Sequence, residues 1–515
     1  MPPADVAAAP APRTGATRSA RARERLTRLA GLPWPVLALT ALAVATFIGF
    51  LVYPTYPNYD SYYSLLWGRE VLHGHKPSFE VYRAPTEHPL AIAFGALLSL
   101  LGRGGDRVMV FCTEASFVVL CAGVYRLART AFTPLVGLAA AGILCTRFDF
   151  PFLAARAYID IPYLAFVVWA AALELQRPRR GGSVWVLLAC AGLLRPEAWL
   201  LIGLYFLWMC SGELGPGRHT AQRLRRWVRY AAWAAVGPVV WVAVDFAVTG
   251  HPLFSLQHTS GLAEELGRTR GLSQVPASMK QFFYNLAKAP VIYAAIAGFL
   301  VALYLAPRRI VMPTVLWLIG TGTFVLVGVA GLSVIDRYLL VPTLMVMVFG
   351  AVALAGWTML RPGLLVRRVW AVAATLIIVY GVAFTATRVN FHQFDAELTL
   401  RGESHRSLIR LLDDPKVRAA LRCGPVSTPS HKLVPDTRWV LGASADEVLA
   451  RADAKKSART RAAVQHGVAL FVVDRGALLR QALVDKSDDV FDNIPAAGFT
   501  GPIAFTDYYS AYVRC

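Results

Sequence analysis

Asp60 stands in the run Tyr59-Asp60-Ser61-Tyr62-Tyr63, and Glu87-His88-Pro89-Leu90 follows in the same polar loop. The loop comes directly after a long apolar stretch, Leu37 to Tyr53, and Tyr53 and Tyr56 add to the aromatic residues around the acid. A carboxylate at a membrane surface is costly to desolvate, which makes it a candidate for meeting a lipid-borne substrate. An aromatic interface belt with a solvated Asp would show the same residues. Other charged residues recur at comparable places. Arg156 and Asp160 share the run Ala155-Arg156-Ala157-Tyr158-Ile159-Asp160-Ile161-Pro162, Arg195 and Glu197 flank Pro196, and Asp336-Arg337-Tyr338 precedes another apolar run. Carboxylates can take protons from reacting groups. Guanidinium forks match phosphate and carboxylate geometry.

The elements that must position these groups follow from composition. Hydrophobic residues are 56% of the 515 positions and charged residues 16%, against about 25% charged in soluble domains. With a mean hydropathy of +0.48, the chain reads as a polytopic α-helical membrane protein. Its net charge of +20 forms no single patch, because most of the 52 basic residues fall in short loops between apolar runs. There they set topology and meet anionic head groups, so nucleic acid is not the expected partner. Candidate spans are 33–54, 107–125, 131–149, 161–176, 182–195, 197–211, 230–249, 290–306, 311–331, 338–358 and 369–387, about eleven transmembrane helices. Run 90–101 is too short to cross and reads as a juxtamembrane helix.

Charge distribution orients the bundle. Clusters such as Arg177/Arg179/Arg180, Arg223/Arg225/Arg226/Arg229 and Arg361/Arg367/Arg368 mark loops expected inside. The first 29 residues hold six arginines and read as a disordered cytoplasmic tail, followed by an uncleaved first span. The membrane part then covers 30–388, with two long outer loops, 55–106 and 250–289. Loops of that length are uncommon unless functional. On this topology Asp60, Lys76, Arg83, Glu87 and His88, Arg156 and Asp160, Arg195 and Glu197, Asp245, His251 and His258, and Asp336 with Arg337 converge on one face. Their shared sidedness is the evidence, since no single one is specific.

From about Val389 the composition changes to apolar runs of strand length (Trp439 to Leu441, Val468 to Val473) between charged helical stretches such as 404–422 and 444–464. Residues 389–515 therefore read as a soluble extracytoplasmic α/β domain. Cys423 and Cys515 fall in it, where an extracytoplasmic location would allow a disulfide. The other five cysteines lie in apolar runs and read as inert helix residues.

Here the chain resembles the polyprenyl-phosphate-sugar-dependent membrane glycosyltransferases of the GT-C type, among them lipid A aminoarabinose transferases, protein O-mannosyltransferases and envelope arabinosyl- and mannosyltransferases. The resemblance spans roughly 33–390. It rests on Asp60 after the first span with a Tyr-rich helix ending at Gly74, on His88-Pro89-Leu90, on Arg156 and Asp160, and on Leu194-Arg195-Pro196-Glu197, Thr249-Gly250-His251-Pro252-Leu253 and Asp336-Arg337-Tyr338-Leu339-Leu340. It departs where relatives carry Lys-Pro-Pro in place of His88-Pro89, and where protein O-mannosyltransferases carry Glu in place of Ser61.

The resemblance implies an inverting glycosyltransferase in a bacterial plasma membrane. It would move a pentose or hexose from a polyprenyl-phosphate donor to a hydroxyl of an extracytoplasmic envelope glycan, glycolipid or protein. Asp60 would be the general base. Asp160 would hold the acceptor, assist the base or ligate a metal, or else be a helix N-terminal acid favoured by the dipole. Arg337 is the first candidate for the donor phosphate, with an Asp336–Arg337 pair as the alternative. Arg156, expected to pair with Asp160, joins Arg195, Glu87, His88, Lys76 and His251 in the substrate-binding set. No cofactor is required: Asp60, Asp160, His88 and His251 could hold a divalent metal, but no spacing demands one. A transporter or flippase of a lipid-linked or anionic substrate is the competing class.

Overall fold

The computed structural model describes residues 34–214, 220–388, 391–482, 493 and 495–515; the arginine-rich tail at 1–29 lies outside them. Helix α1 (Trp34–Val52) carries no charged residue and buries none of its side chains within the molecule. A helix apolar all round needs an apolar solvent. It leans on α4 (Gly105–Ala131) through Phe50 and Phe111, whose rings lie 5.4 Å apart. Between them in sequence come α2 (Tyr59–Leu72) and α3 (Pro89–Ser99), both within the first long loop.

These two short helices cross almost backbone to backbone. A Cβ on Gly68 would sit 2.2 Å from the Ala96 amide nitrogen, and one on Gly95 would sit 2.3 Å from the Ser64 carbonyl. Only glycine permits that approach, and the crossing fixes the start of α2, which carries Asp60, relative to the start of α3, which carries His88.

The bundle continues with α5 (Pro134–Cys145), α6 (Asp149–Ala155), α7 (Asp160–Gln176), α8 (Gly182–Leu194), α9 (Ala198–Ser211) and α10 (Thr220–Thr249). The second long loop folds into α11 (Phe254–Glu265) and α12 (Val275–Ala287), followed by α13 (Ala289–Leu305), α14 (Val311–Val329), α15 (Leu340–Ala355) and α16 (Leu365–Arg388). Among the described residues six helices are long and apolar enough to cross a membrane, or eight when each sharply bent pair counts as one span. The bends are 66° between α5 and α6 and 98° at the α12–α13 break. The three other expected spans are helices of 17, 13 and 14 residues. At 1.5 Å per residue they reach about 20–26 Å, short of a perpendicular crossing.

Beyond α16, helix α17 (Phe391–Asp413) leads into a small five-stranded sheet of order β2-β1-β3-β5-β4. Strands β1 (Val426–Thr428), β2 (Val448–Ala450) and β3 (Gly467–Val472) are parallel. Strand β5 (Tyr509–Arg514) pairs antiparallel with β3 and with β4 (Thr500–Phe505). Helices α18 (Pro415–Ala420), α19 (Val434–Leu441), α20 (Ala458–Ala463) and α21 (Arg475–Ala482) complete the domain. Run Val468–Val473 is strand β3 to within a residue, and the strand itself, Gly467–Val472, is buried throughout.

Two local expectations are corrected. Trp439 to Leu441 is the end of α19, not a strand: Pro435 presets its first turn and left-handed Gly442 closes it. Stretch 444–464 is not helical throughout, because β2 occupies 448–450. Cys423 and Cys515 are disulfide-bonded across 92 residues and pin the chain end beside β3. Cys423→Ser is expected to cost about 2–4 kcal/mol of domain stability, read as a lower thermal midpoint that matches wild type under reductant.

Candidate active site

Helix α2 starts at Tyr59 because Asn58 caps it, its side-chain oxygen accepting from the Ser61 amide at 2.9 Å. Asp60 is thus released from capping and sits in the first helical turn. Two bonds stitch this start to the segment before α7: the Asn58 amide donates to the Arg156 carbonyl at 2.8 Å, and the Ser61 hydroxyl to the Ala157 carbonyl at 2.6 Å. Asp160 opens α7 with no exposed surface. Arg195 comes from the α8–α9 turn, and Arg337 from the 3-10 turn before α15.

These groups form one alternating chain of charges. The Arg337 guanidinium lies 3.2 Å from Asp60 Oδ2 and 3.5 Å from Asp160 Oδ2. Asp160 Oδ1 contacts Arg195, whose Nη2 lies 2.9 Å from Glu197 Oε1. The sequence Asp60–Arg337–Asp160–Arg195–Glu197 is most open at its first pair: the Asp60 and Arg337 side chains are 24% and 26% exposed, that of Asp160 0%, and those of Arg195 and Glu197 9% and 12%. Only the first pair can meet a substrate. The inner three hold it in place. Removing one partner of a buried pair leaves uncompensated charge, so Arg195→Leu is expected to destabilise the protein by about 3–5 kcal/mol, visible as a lower thermal midpoint in detergent.

Arg156 does not pair with Asp160. Helix α6 ends at Ala155 and α7 begins at Asp160, with Ala157 left-handed (φ 53°) between them, so the two residues share no helix face. The Arg156 guanidinium instead lies 3.9 Å from the centre of the Tyr56 ring, which stacks on His405 at 4.3 Å. Arg337 turns to Asp60 and Asp160 and lies 5.5 Å from the ring of Tyr158.

Asp60 and Arg337 open into a cleft of about 580 Å³. Its acidic lining is Asp60, Asp149, Asp336 and Asp436; its basic lining is Arg83, Arg156, Arg268, Arg337, Arg401 and Lys432. Six cations against four acids bias it toward anions. The C-terminal domain supplies one wall, through Arg401, His431, Lys432, Asp436 and Tyr509. Arg83 is anchored by Glu265 at 3.0 Å, and its carbonyl accepts from the Tyr59 hydroxyl at 2.9 Å. Of these residues Arg268, Arg401, Lys432 and Asp436 carry no local signal in the sequence. Arg401 reads as an ordinary i,i+4 partner of Glu397, which it does contact at 2.6 Å.

The remaining expected site residues do not line this cleft. Glu87 is fully buried, outside the cleft lining. Burial pushes its carboxyl up to about 8, with the charge of Asp245 adding to the effect. A raised carboxyl pKa means the unfolded chain loses its proton before the folded protein does, so stability falls as pH rises from about 4.5 to 8. Glu87→Gln is expected to flatten that fall and raise the thermal midpoint at pH 8 relative to wild type. His88 is half-buried, and desolvation with the charge of Arg195 holds it near 4, which keeps its imidazole neutral; its ring lies 5.8 Å from Trp241. Lys76 is exposed and lines a different cleft, of about 550 Å³. His251 is exposed and lines neither. Among the described residues no group of three or more His, Cys, Asp or Glu is arranged to hold a metal ion.

No protein-family model and no curated protein matches the chain. Solved structures do. The chain is similar to ArnT from Cupriavidus metallidurans bound to undecaprenyl phosphate, with a TM-score of 0.54 and 12% identity over 93% of this chain and 97% of that one. The apo state of that protein gives 0.53 and 13% over the same shares. The archaeal oligosaccharyltransferase AglB from Archaeoglobus fulgidus, in complex with an inhibitory peptide and a dolichol-phosphate, gives 0.50 and 13% over 86% and 70%. The chain is a multi-pass membrane protein with the GT-C glycosyltransferase fold.

Proposed function

We propose that the chain is an inverting glycosyltransferase, moving a pentose or hexose from a polyprenyl-phosphate donor to a hydroxyl of an envelope glycan, glycolipid or protein. Its active site and C-terminal domain would face the extracytoplasmic side of a bacterial plasma membrane. The single observation that carries this reading is the Asp60–Arg337 pair: a carboxylate and a guanidinium 277 residues apart meet at 3.2 Å, partly exposed, in a net cationic cleft. The similarity to ArnT bound to undecaprenyl phosphate supports a lipid-phosphate donor. The Cys423–Cys515 disulfide supports an oxidising compartment.

In this reading the donor phosphate enters beside Arg337, which offers it a forked cation. Sharing its charge with the phosphate weakens the hold of Arg337 on Asp60 and frees a carboxylate oxygen to accept a hydrogen bond from the acceptor hydroxyl. The acceptor oxygen then attacks the anomeric carbon from the face opposite the phosphate. A C–O bond to the acceptor forms, the C–O bond to phosphate breaks, its electron pair leaves with polyprenyl phosphate, and the acceptor proton passes to Asp60. Arg337 stabilises the charge that develops on the departing phosphate. Asp160, clamped by Arg195, keeps Arg337 in position.

The test is release of polyprenyl phosphate by purified protein in nanodiscs, supplied with a panel of polyprenyl-phosphate pentoses and hexoses. The reading requires release with at least one donor and acceptor-dependent formation of an inverted glycoside. Movement of intact donor between leaflets without any release would instead establish the carrier reading.

A further inference from the structure

The C-terminal domain meets the cleft with the carboxyl ends of β1 and β3, since His431, Lys432 and Asp436 follow β1 and Ala477 follows β3. In open α/β sheets this is the edge where ligands bind. Arg156, from the turn between α6 and α7, lines the same cleft, and its charge acts on the Asp436 carboxyl. Both Asp436 and Arg156 are more than nine-tenths buried, at 5% and 6% exposed, and both line the cleft. Neither contacts the other within ion-pair distance among the described residues. Among the described residues the Arg156 Nη1 has no hydrogen-bond partner, and Asp436 Oδ1 accepts from its neighbouring Thr437 amide at 3.0 Å.

A desolvated donor left unmade is expensive. The pair also selects among ligands that could satisfy it. An anion suits Arg156 and meets repulsion from Asp436; a cation suits Asp436 and meets repulsion from Arg156. A hydroxyl donates to one and accepts from the other. We propose that Arg156 and Asp436 form an acceptor subsite for an uncharged, polyhydroxylated sugar, so that the acceptor presented to Asp60 is a neutral glycan residue. The C-terminal domain is then the acceptor-reading wall, and Asp436 and Arg156 are positioning and specificity residues. The subsite's role in transfer rests on the glycosyltransferase reading; its occupancy by a sugar does not.

The experiment is saturation-transfer NMR on the full chain in nanodiscs, with methyl pentofuranosides and hexopyranosides and their phosphorylated counterparts. At pH 8 the Asp436 carboxyl, which burial raises to about 7, is ionised. At least one neutral glycoside should bind more tightly than its phosphorylated form. Asp436→Asn and Arg156→Gln should each weaken that binding about tenfold or more, while Lys416→Ala, exposed on α18 and outside the cleft, leaves it unchanged. Thermal midpoints separate loss of the subsite from loss of the fold, and two variants from separate elements guard against one failing to fold. Tighter binding of the phosphorylated forms, no glycoside binding to wild type, or wild-type binding by both folded variants would overturn the proposal. Failure of donor turnover with this binding intact would overturn the transferase reading alone.

Discussion

Asp60→Asn is expected to lower donor turnover about 100-fold or more, the low end for removing a general base being about that size. The amide is nearly isosteric and can still accept a hydrogen bond from Arg337, so position is kept while proton affinity is lost. Helix α2 should be unaffected, because its cap is Asn58 and not Asp60. Single-turnover measurements at saturating donor isolate the chemical step, and an unchanged thermal midpoint shows that the fold survives. Near-normal turnover by the folded variant would remove Asp60 from the mechanism.

Arg337 is expected to show the next largest effect. Arg337→Ala deletes the cation shared by Asp60 and Asp160, leaving Asp160 to Arg195 alone. Loss of a preorganised electrostatic contact to developing charge is worth about 100- to 1,000-fold, and donor KM should rise as well. Arg337→Lys should recover only part of this, since an ammonium cannot present two parallel donors. The Asp60→Asn/Arg337→Ala double variant should lose less than the product of the single losses, because both belong to one interacting unit. Strict additivity would mean that the pair does not act together.

Much of the inner network is readable in the sequence because each member stands within or beside an apolar run, where charge is costly. Asp60, Asp160, Arg195 and Arg337 all announce themselves in that way, and the structure joins them into one chain. Partnerships were less legible. Arg156 and Asp160 have helical spacing, yet the left-handed turn at Ala157 lies between them, and such a turn at alanine leaves no compositional trace. Lys76 and His251 share loops with true cleft residues, but those loops fold into helices that aim them elsewhere. The C-terminal wall was invisible for a different reason. Lys432 and Asp436 reach the cleft only because β1 ends there, and a contact spanning more than 300 residues has no local pattern.

The same physics explains the misread Trp439–Leu441. Three apolar residues fit a strand or a helix end equally well, and Pro435 with Gly442 decides for the helix.

The most direct measurement is the position of a lipid phosphate on the intact protein. Electron cryo-microscopy of the chain in nanodiscs with undecaprenyl phosphate should place the phosphate within hydrogen-bonding distance of the Arg337 guanidinium, with the prenyl chain lying along the spans and the Asp60–Arg337 contact lengthened. A head group seated in the cleft beside Lys76, or bound while the Asp60–Arg337 pair stays closed, would contradict the account.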